Sequence, residues 1–244
     1  MTAVEEYEHD PFRCASGECA HAVSPRLPCR CPDCDATTRA MVAGYRNEAA
    51  SGAVDLRSQT TPRFAQRTFD RFIQDQDNFA AVTAAEAVAA DPTRGLGLYG
   101  DPGLGKSHLG AAIANACMAR GVPARYIGVE ELLSRVRATY DARPRSGGDT
   151  EDAMIRAYAQ IPVLVLDDFG KESLSDWTVR MLFSIINRRY EQNLPLVVTS
   201  NHTPVELASR LVARDADQRT YASMMDRVRE MTGTWVAISG RSRR

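Results

Sequence analysis

Residues 100–108 read Gly100-Asp101-Pro102-Gly103-Leu104-Gly105-Lys106-Ser107-His108. The spacing is G-x-x-x-x-G-K-[ST], the pattern of a phosphate-cradling loop. Gly100, Gly103 and Gly105 let the backbone bend tightly, so that successive N–H groups converge on a β-phosphate. Lys106 has the reach for β- and γ-phosphate oxygens, and the Ser107 hydroxyl is a hard ligand for Mg²⁺. Asp101, Pro102, Leu104 and His108 complete the stretch expected to wrap the nucleotide. The flanks agree with the motif. Gly95-Leu-Gly-Leu-Tyr99 reads as a short buried strand entering the loop. Leu109 to Arg120 reads as a helix leaving it, with Leu109, Ile113, Ala116 and Cys117 on one apolar face and Gly121 as its stop. The positive end of that helix's dipole faces the same phosphates. Strand, loop and helix in this order predict an α/β fold with a parallel central sheet, binding a nucleotide and Mg²⁺.

Downstream, Ile161-Pro-Val-Leu-Val-Leu-Asp-Asp-Phe-Gly170 is a continuous apolar run ending in two carboxylates. A strand covered on both faces of a parallel sheet reads this way. Its acids fall at the C-terminal edge, where α/β folds place ligands. Asp167 is expected to hold Mg²⁺, directly or through water, and Asp168 to orient and deprotonate an attacking water. A second buried strand, Leu194-Pro-Leu-Val-Val-Thr-Ser-Asn201, ends in an amide that can sense a γ-phosphate. Further strands are expected at 124–128 and 235–239.

Helices are expected at 37–51, 78–90, 130–140, 149–160 (capped by Asp149), 175–193 and across 205–232. In the helix from Ser175, the residues Val179, Leu182, Phe183, Ile186 and Tyr190 recur at core spacing. Thr203-Pro-Val-Glu206 is a capping box with Pro at the first helical position. The arginines at 135, 137, 143 and 145 read as a solvated face rather than a nucleic-acid contact.

The 244 residues carry a formal net charge of −1 and are 44% hydrophobic. That balance excludes a protein that coats nucleic acid by bulk charge, and no apolar run approaches the ~20 residues of a membrane span. With no secretory signal in the acidic N-terminus, the expected compartment is cytoplasmic and no membrane partner is expected. Five of the six cysteines lie between Cys14 and Cys34. Cys31-Pro-Asp-Cys34 has zinc-knuckle spacing, and Cys14 with Cys19 is the favoured second pair, Cys29 and His21 being the alternatives. A structural Zn²⁺ would supply folding energy to a segment with so little core. The polar stretch Ser58-Gln-Thr-Thr-Pro62 marks a boundary, dividing a Cys-rich module at 1–60 from the nucleotide-binding domain at 61–244.

From Thr68 onward the chain resembles the bacterial replicative helicase loaders of the DnaC and DnaI type, which are AAA+ ATPases. The resemblance rests on Thr68-Phe-Asp-x-Phe72, on residues 97–109 around Lys-Ser-His-Leu, on Leu164-Val-Leu-Asp-Asp-Phe-Gly170, on Thr199-Ser-Asn201 and on Met225-Asp-Arg227. It implies a three-layer AAA+ domain that hydrolyses ATP at subunit interfaces of a homo-oligomer. It also implies a hexameric replicative helicase and single-stranded DNA as partners, the N-terminal region contacting the helicase. On the matching positions, Asn201 would be the sensor-one residue and Arg227 an arginine finger reaching a neighbour's γ-phosphate. Arg244 falls where the family has its sensor-two arginine, with Arg241 or Arg243 as substitutes. The transposition helper ATPases of the IstB type share nearly all these motifs and work with a transposase on duplex DNA. They usually lack a cysteine-rich front end, and that difference favours the loader reading.

Overall fold

The structure is a computed structural model that describes residue 40 and residues 62–141, 150–172, 175–212 and 218–242. Apart from residue 40, the expected 37–51 helix lies outside the described residues, as do the arginines at 143 and 145 and the whole cysteine cluster.

Five parallel strands form one sheet in the order β2-β3-β4-β1-β5. They are β1 (Leu96–Tyr99), β2 (Ala124–Gly128), β3 (Val163–Asp167), β4 (Leu196–Ser200) and β5 (Trp235–Ala237). The alternation of side chains explains why the central runs are apolar throughout. Val163, Val165 and Val197 face one helical layer, whereas Leu164, Leu166, Leu196 and Val198 face the other. Every residue of β3 and β4 is buried.

After a short α1 (Pro62–Ala65) and a 3₁₀ turn (Phe69–Arg71), the first layer consists of α2 (Phe79–Ala90) and α3 (Lys106–Ala119). Alanines line α2 and let it pack closely on α3. The Arg120 guanidinium closes the pair by donating to the last carbonyls of α2, Ala89 O at 2.5 Å and Ala90 O at 2.6 Å. Cys117 is wholly buried in this layer, and burial pushes its thiol up to about 12.

The second layer holds α4 (Val129–Asp141), α5 (Glu151–Gln160), α6 (Asp176–Glu191) and α8 (Gln218–Thr232), with α7 (Pro204–Val212) adding Leu207. Caps fix the starts of these helices. Thr150, one residue beyond the expected Asp149, accepts from Ala153 N at 3.2 Å, and Ser175 accepts from Thr178 N at 3.2 Å. The Thr203–Glu206 box is closed in both directions, at 3.1 and 2.8 Å. Two expectations need correction. The loop helix begins at Lys106 itself, bringing its dipole to the lysine. Tyr190 is not core: it is 38% exposed, and its ring, with that of Phe183 at the margin of the core, carries the Arg227 guanidinium at 5.4 and 5.1 Å.

Arg189, on α6, is fully buried. Its guanidinium donates to Tyr158 O, Ala159 O, Ile161 O and Pro162 O at 3.3, 3.1, 2.6 and 3.1 Å, and also to Pro195 O. It thereby closes the C-terminus of α5 and ties the entries of β3 and β4 together. The charge is compensated by carbonyl dipoles and the negative end of α5. Arg189→Met is expected to strand these carbonyls in the core and to lower unfolding stability by at least about 3 kcal/mol, measured by urea denaturation; a loss under 1 kcal/mol would remove this role.

Candidate nucleotide site

All five strands end on one edge of the sheet, and the loop 100–105 leaves β1 at that edge. Gly100 sits at φ 143° and Gly105 at φ 103°, conformations that side chains resist. A Cβ at Gly100 would stand 2.3 Å from Ile238 O, and one at Gly105 would stand 2.6 Å from the Phe72 ring. The loop is therefore clamped between the last strand and the segment that precedes α2. Lys106 is buried, its ammonium donating to Gly100 O at 2.7 Å and Asp101 O at 2.8 Å. These bonds hold the lysine beneath the arch of its own loop.

Opposite the loop stands the end of β3. Asp167 is 7% exposed. Thr199, on β4, donates its hydroxyl to Asp167 Oδ1, and Tyr126, on β2, donates to Oδ2. Asp168 has φ 56°, a left-handed conformation that aspartate tolerates better than most residues. Its N–H reaches Thr199 Oγ1 at 3.2 Å, and its carboxylate turns outward to lie 3.7 Å from Lys171 Nζ. Beyond the strand ends, Phe169 N donates to Thr199 O at 2.8 Å and the Ser200 hydroxyl to Phe169 O at 2.6 Å. These bonds hold Asn201 at the mouth of the cleft.

The cleft between loop and strand ends has a volume of about 780 Å³ and is lined by Lys106, Ser107, Asp167, Asp168 and Asn201. Its outer wall comes from the segment before α2: Phe64, Arg67, Arg71, Phe72 and Ile73. Asn115 of α3 fixes that wall by donating to Phe64 O and Arg67 O, both at 2.8 Å. His108 adds a bond from Nε2 to Thr68 O at 2.8 Å, its ring edge-on to Phe72. Burial holds the His108 imidazole below its ordinary range, so the neutral ring makes this bond. The oxygen donors of Ser107 and Asp167, both lining the cleft, suit a hard cation such as Mg²⁺.

The structure thus brings together Gly103, Gly105, Lys106, Ser107, His108, Asp167, Asp168 and Asn201. It does not bring Arg227 there. Arg227 belongs to α8; its guanidinium lies over the α6 rings of Phe183 and Tyr190 and donates to Ser223 O, one turn back on α8, at 3.1 Å. Arg243 and Arg244 lie outside the described residues, as do the expected zinc ligands Cys14, Cys19, Cys31 and Cys34 with their alternatives Cys29 and His21. Among the described residues no cluster of potential metal ligands of the His/Cys/Asp/Glu type occurs, and no helix is long and apolar enough to cross a membrane. Sequence reasoning overlooked Tyr126, Thr199 and the wall residues as members of the site. Thr68-Phe-Asp-x-Phe72 was the available signal for the wall.

A glycine loop opening a helix, set across one intervening strand from a carboxylate-tipped strand, defines a P-loop nucleotide-binding protein of the AAA+ type. The chain belongs to the family of IstB-like ATP binding proteins, whose profile matches residues 64–244. It is 32% identical over 182 residues to the chromosomal replication initiator protein DnaA of Streptococcus equi subsp. zooepidemicus, covering 70% of this chain and 38% of that one. It is 28% identical over 140 residues to the replicative helicase loader DnaC of Escherichia coli, covering 57% of this chain and 52% of that one. The chain therefore spans about half or less of the length of these relatives. Among solved structures, DnaI superposes with a TM-score of 0.62 at 28% identity, covering 76% of this chain and 95% of that one.

Behind the acidic strand end, Glu172 is buried and accepts from Gly170 N at 2.9 Å. Burial raises its carboxyl pKa, and the nearby Glu130 adds to the effect. An acid whose folded pKa exceeds its unfolded value binds its proton more tightly when folded. Its contribution is present below the unfolded pKa and is lost as pH rises through the folded one. Glu172→Gln is therefore expected to melt higher than the parent at pH 7.5, with the difference closing as pH falls towards 4.5. Equal melting temperatures at both pH values would dismiss the buried charge.

Proposed function

We propose that the chain is an ATP-dependent DNA replication factor that binds the hexameric replicative helicase and loads it onto single-stranded DNA. The observation that carries this reading is the complete constellation of Lys106, Ser107, Asp167, Asp168 and Asn201 around one cleft, in a chain similar to a named helicase loader. Residues 61–244 act as the ATPase domain and residues 1–60 as the helicase-docking module, stapled by Zn²⁺ on Cys14, Cys19, Cys31 and Cys34. The setting is the cytoplasm.

Lys106 leaves the loop carbonyls to bind the β- and γ-phosphates. Ser107 and Asp167 hold Mg²⁺, which neutralises charge on the phosphate oxygens. Asp168 gives up Lys171 and accepts the proton of the attacking water, while Asn201 orients that water. Arg227, which does not line its own cleft, is delivered as an arginine finger to a neighbouring subunit. Arg244 serves as the sensor-two residue.

The IstB-type profile favours a second reading, a transposition helper that acts with a transposase on duplex DNA. The cysteine cluster at 14–34 lies outside that match and favours the loader.

A pull-down with the hexameric helicase, in ATP and in ADP, should capture the full chain but not one starting at Thr61. No capture in either state, with ATPase activity intact, would overturn the loader reading in favour of the transposition helper. Lys106→Ala is expected to weaken ATP binding by roughly tenfold or more, read by fluorescent-nucleotide titration; unchanged affinity would sink the site assignment. Arg227→Ala should leave nucleotide binding intact and cut hydrolysis by the assembled oligomer by ~10³-fold, and equal activity in the assembly would dismiss the finger.

A further inference from the structure

One side chain in the cleft has no place in the roles assigned above. Tyr126 sits on β2 and lines the cleft with Ser107 and Asp167, and its hydroxyl donates to Asp167 Oδ2. On the reading of the cleft as a Mg–ATP site, Asp167 is one of the two residues that hold the cation. The two oxygens of Asp167 are not equivalent. Oδ1 is committed to the sheet, because Thr199 is wholly buried and its oxygen also receives the Asp168 N–H. Oδ2 is the oxygen left for a ligand in the cleft, and it is the one Tyr126 takes.

We propose that Tyr126 competes with the divalent cation for Asp167, so that its hydroxyl has to yield Oδ2 before the cation is held. A phenol that donates to a carboxylate makes a charge-assisted bond, which opposes a cation seeking the same lone pairs. The competition makes binding selective, since only a cation already carried by a nucleotide brings enough additional attraction to displace the bond. The ring also has a neighbour that feels its displacement. Phe64 packs on Tyr126 with centroids 4.5 Å apart, and the Arg67 guanidinium lies 4.6 Å over Phe64. Cation arrival at Asp167 is thereby reported to the segment that leads back towards residues 1–60. Tyr126 is a positioning residue in this scheme, acting through Asp167.

The test is direct cation binding rather than turnover. Mn²⁺ is titrated by EPR into the full-length protein with saturating ADP, for the parent and for Tyr126→Phe, which keeps the ring on Phe64. The expected result is Mn²⁺ held roughly three- to tenfold more tightly by the variant, as loss of one charge-assisted hydrogen bond implies. As a second readout, 3-fluorotyrosine placed at position 126 alone should shift its ¹⁹F resonance with Mg²⁺ and ADP but not with ADP alone. Equal or weaker Mn²⁺ affinity in the folded variant, or a resonance indifferent to Mg²⁺, overturns the competition while leaving the nucleotide site standing. A parent protein that binds no Mn²⁺ with ADP overturns the site reading and the competition together.

Discussion

The carboxylate of Asp167 is the knot on which the site depends. A buried anion at the tip of a strand is costly unless hydroxyl or amide donors meet it. Here the two neighbouring strands each supply one: Tyr126 from β2 and Thr199 from β4. Because the donors come from both sides, strand order and register are coupled to the placement of the acid. Thr199 also receives the Asp168 N–H, so one hydroxyl fixes both members of the acidic pair. The left-handed turn at Asp168 is held by that bond and by Phe169 N on Thr199 O, which extend the β3–β4 ladder past the end of the strands.

The wall before α2 is as much a part of the site as the loop. Asn115 and His108 lie on the loop helix itself and grip three carbonyls of the segment 64–68. Phe72 then rests where a side chain on Gly105 would be. A glycine at 105 thus answers two demands together: a positive φ for the loop and space for an aromatic ring above it. Loop and wall form one unit, which makes the segment 64–73 a component of the cleft.

The sheet and the two acidic and glycine-rich stretches were legible because their signals are local. A buried parallel strand is a run of apolar residues, and a phosphate loop is a spacing of glycines around Lys106 and Ser107. The strand at Ala124–Gly128 and the core assignments of Val179, Leu182 and Ile186 were read from periodicity alone and stand in the structure. Other features were hidden because they join residues far apart in the chain. Tyr126 meets Asp167 across 41 positions and Thr199 meets it across 32. Their pairing follows from the strand order β2-β3-β4, which no window of sequence carries. The role of Arg189 was hidden for the same reason: carbonyls at the end of α5 and the entries of β3 and β4 converge on it from 6 to 31 positions away. Tyr190 shows a different error, since helical spacing marks a face without saying where the packed layer ends.

Cys117 lies beneath the same layer that supports the loop, and its surroundings have a chemical consequence. Nucleophilic attack by a thiol requires the thiolate, and a group that burial pushes up to about 12 stays protonated at neutral pH. With no exposed surface either, this sulfur is insulated from oxidants and from exchange with the five cysteines at 14–34. Three turns along the helix that leaves the nucleotide loop, this thiol is an inert piece of packing, closed to any reagent that needs a thiolate.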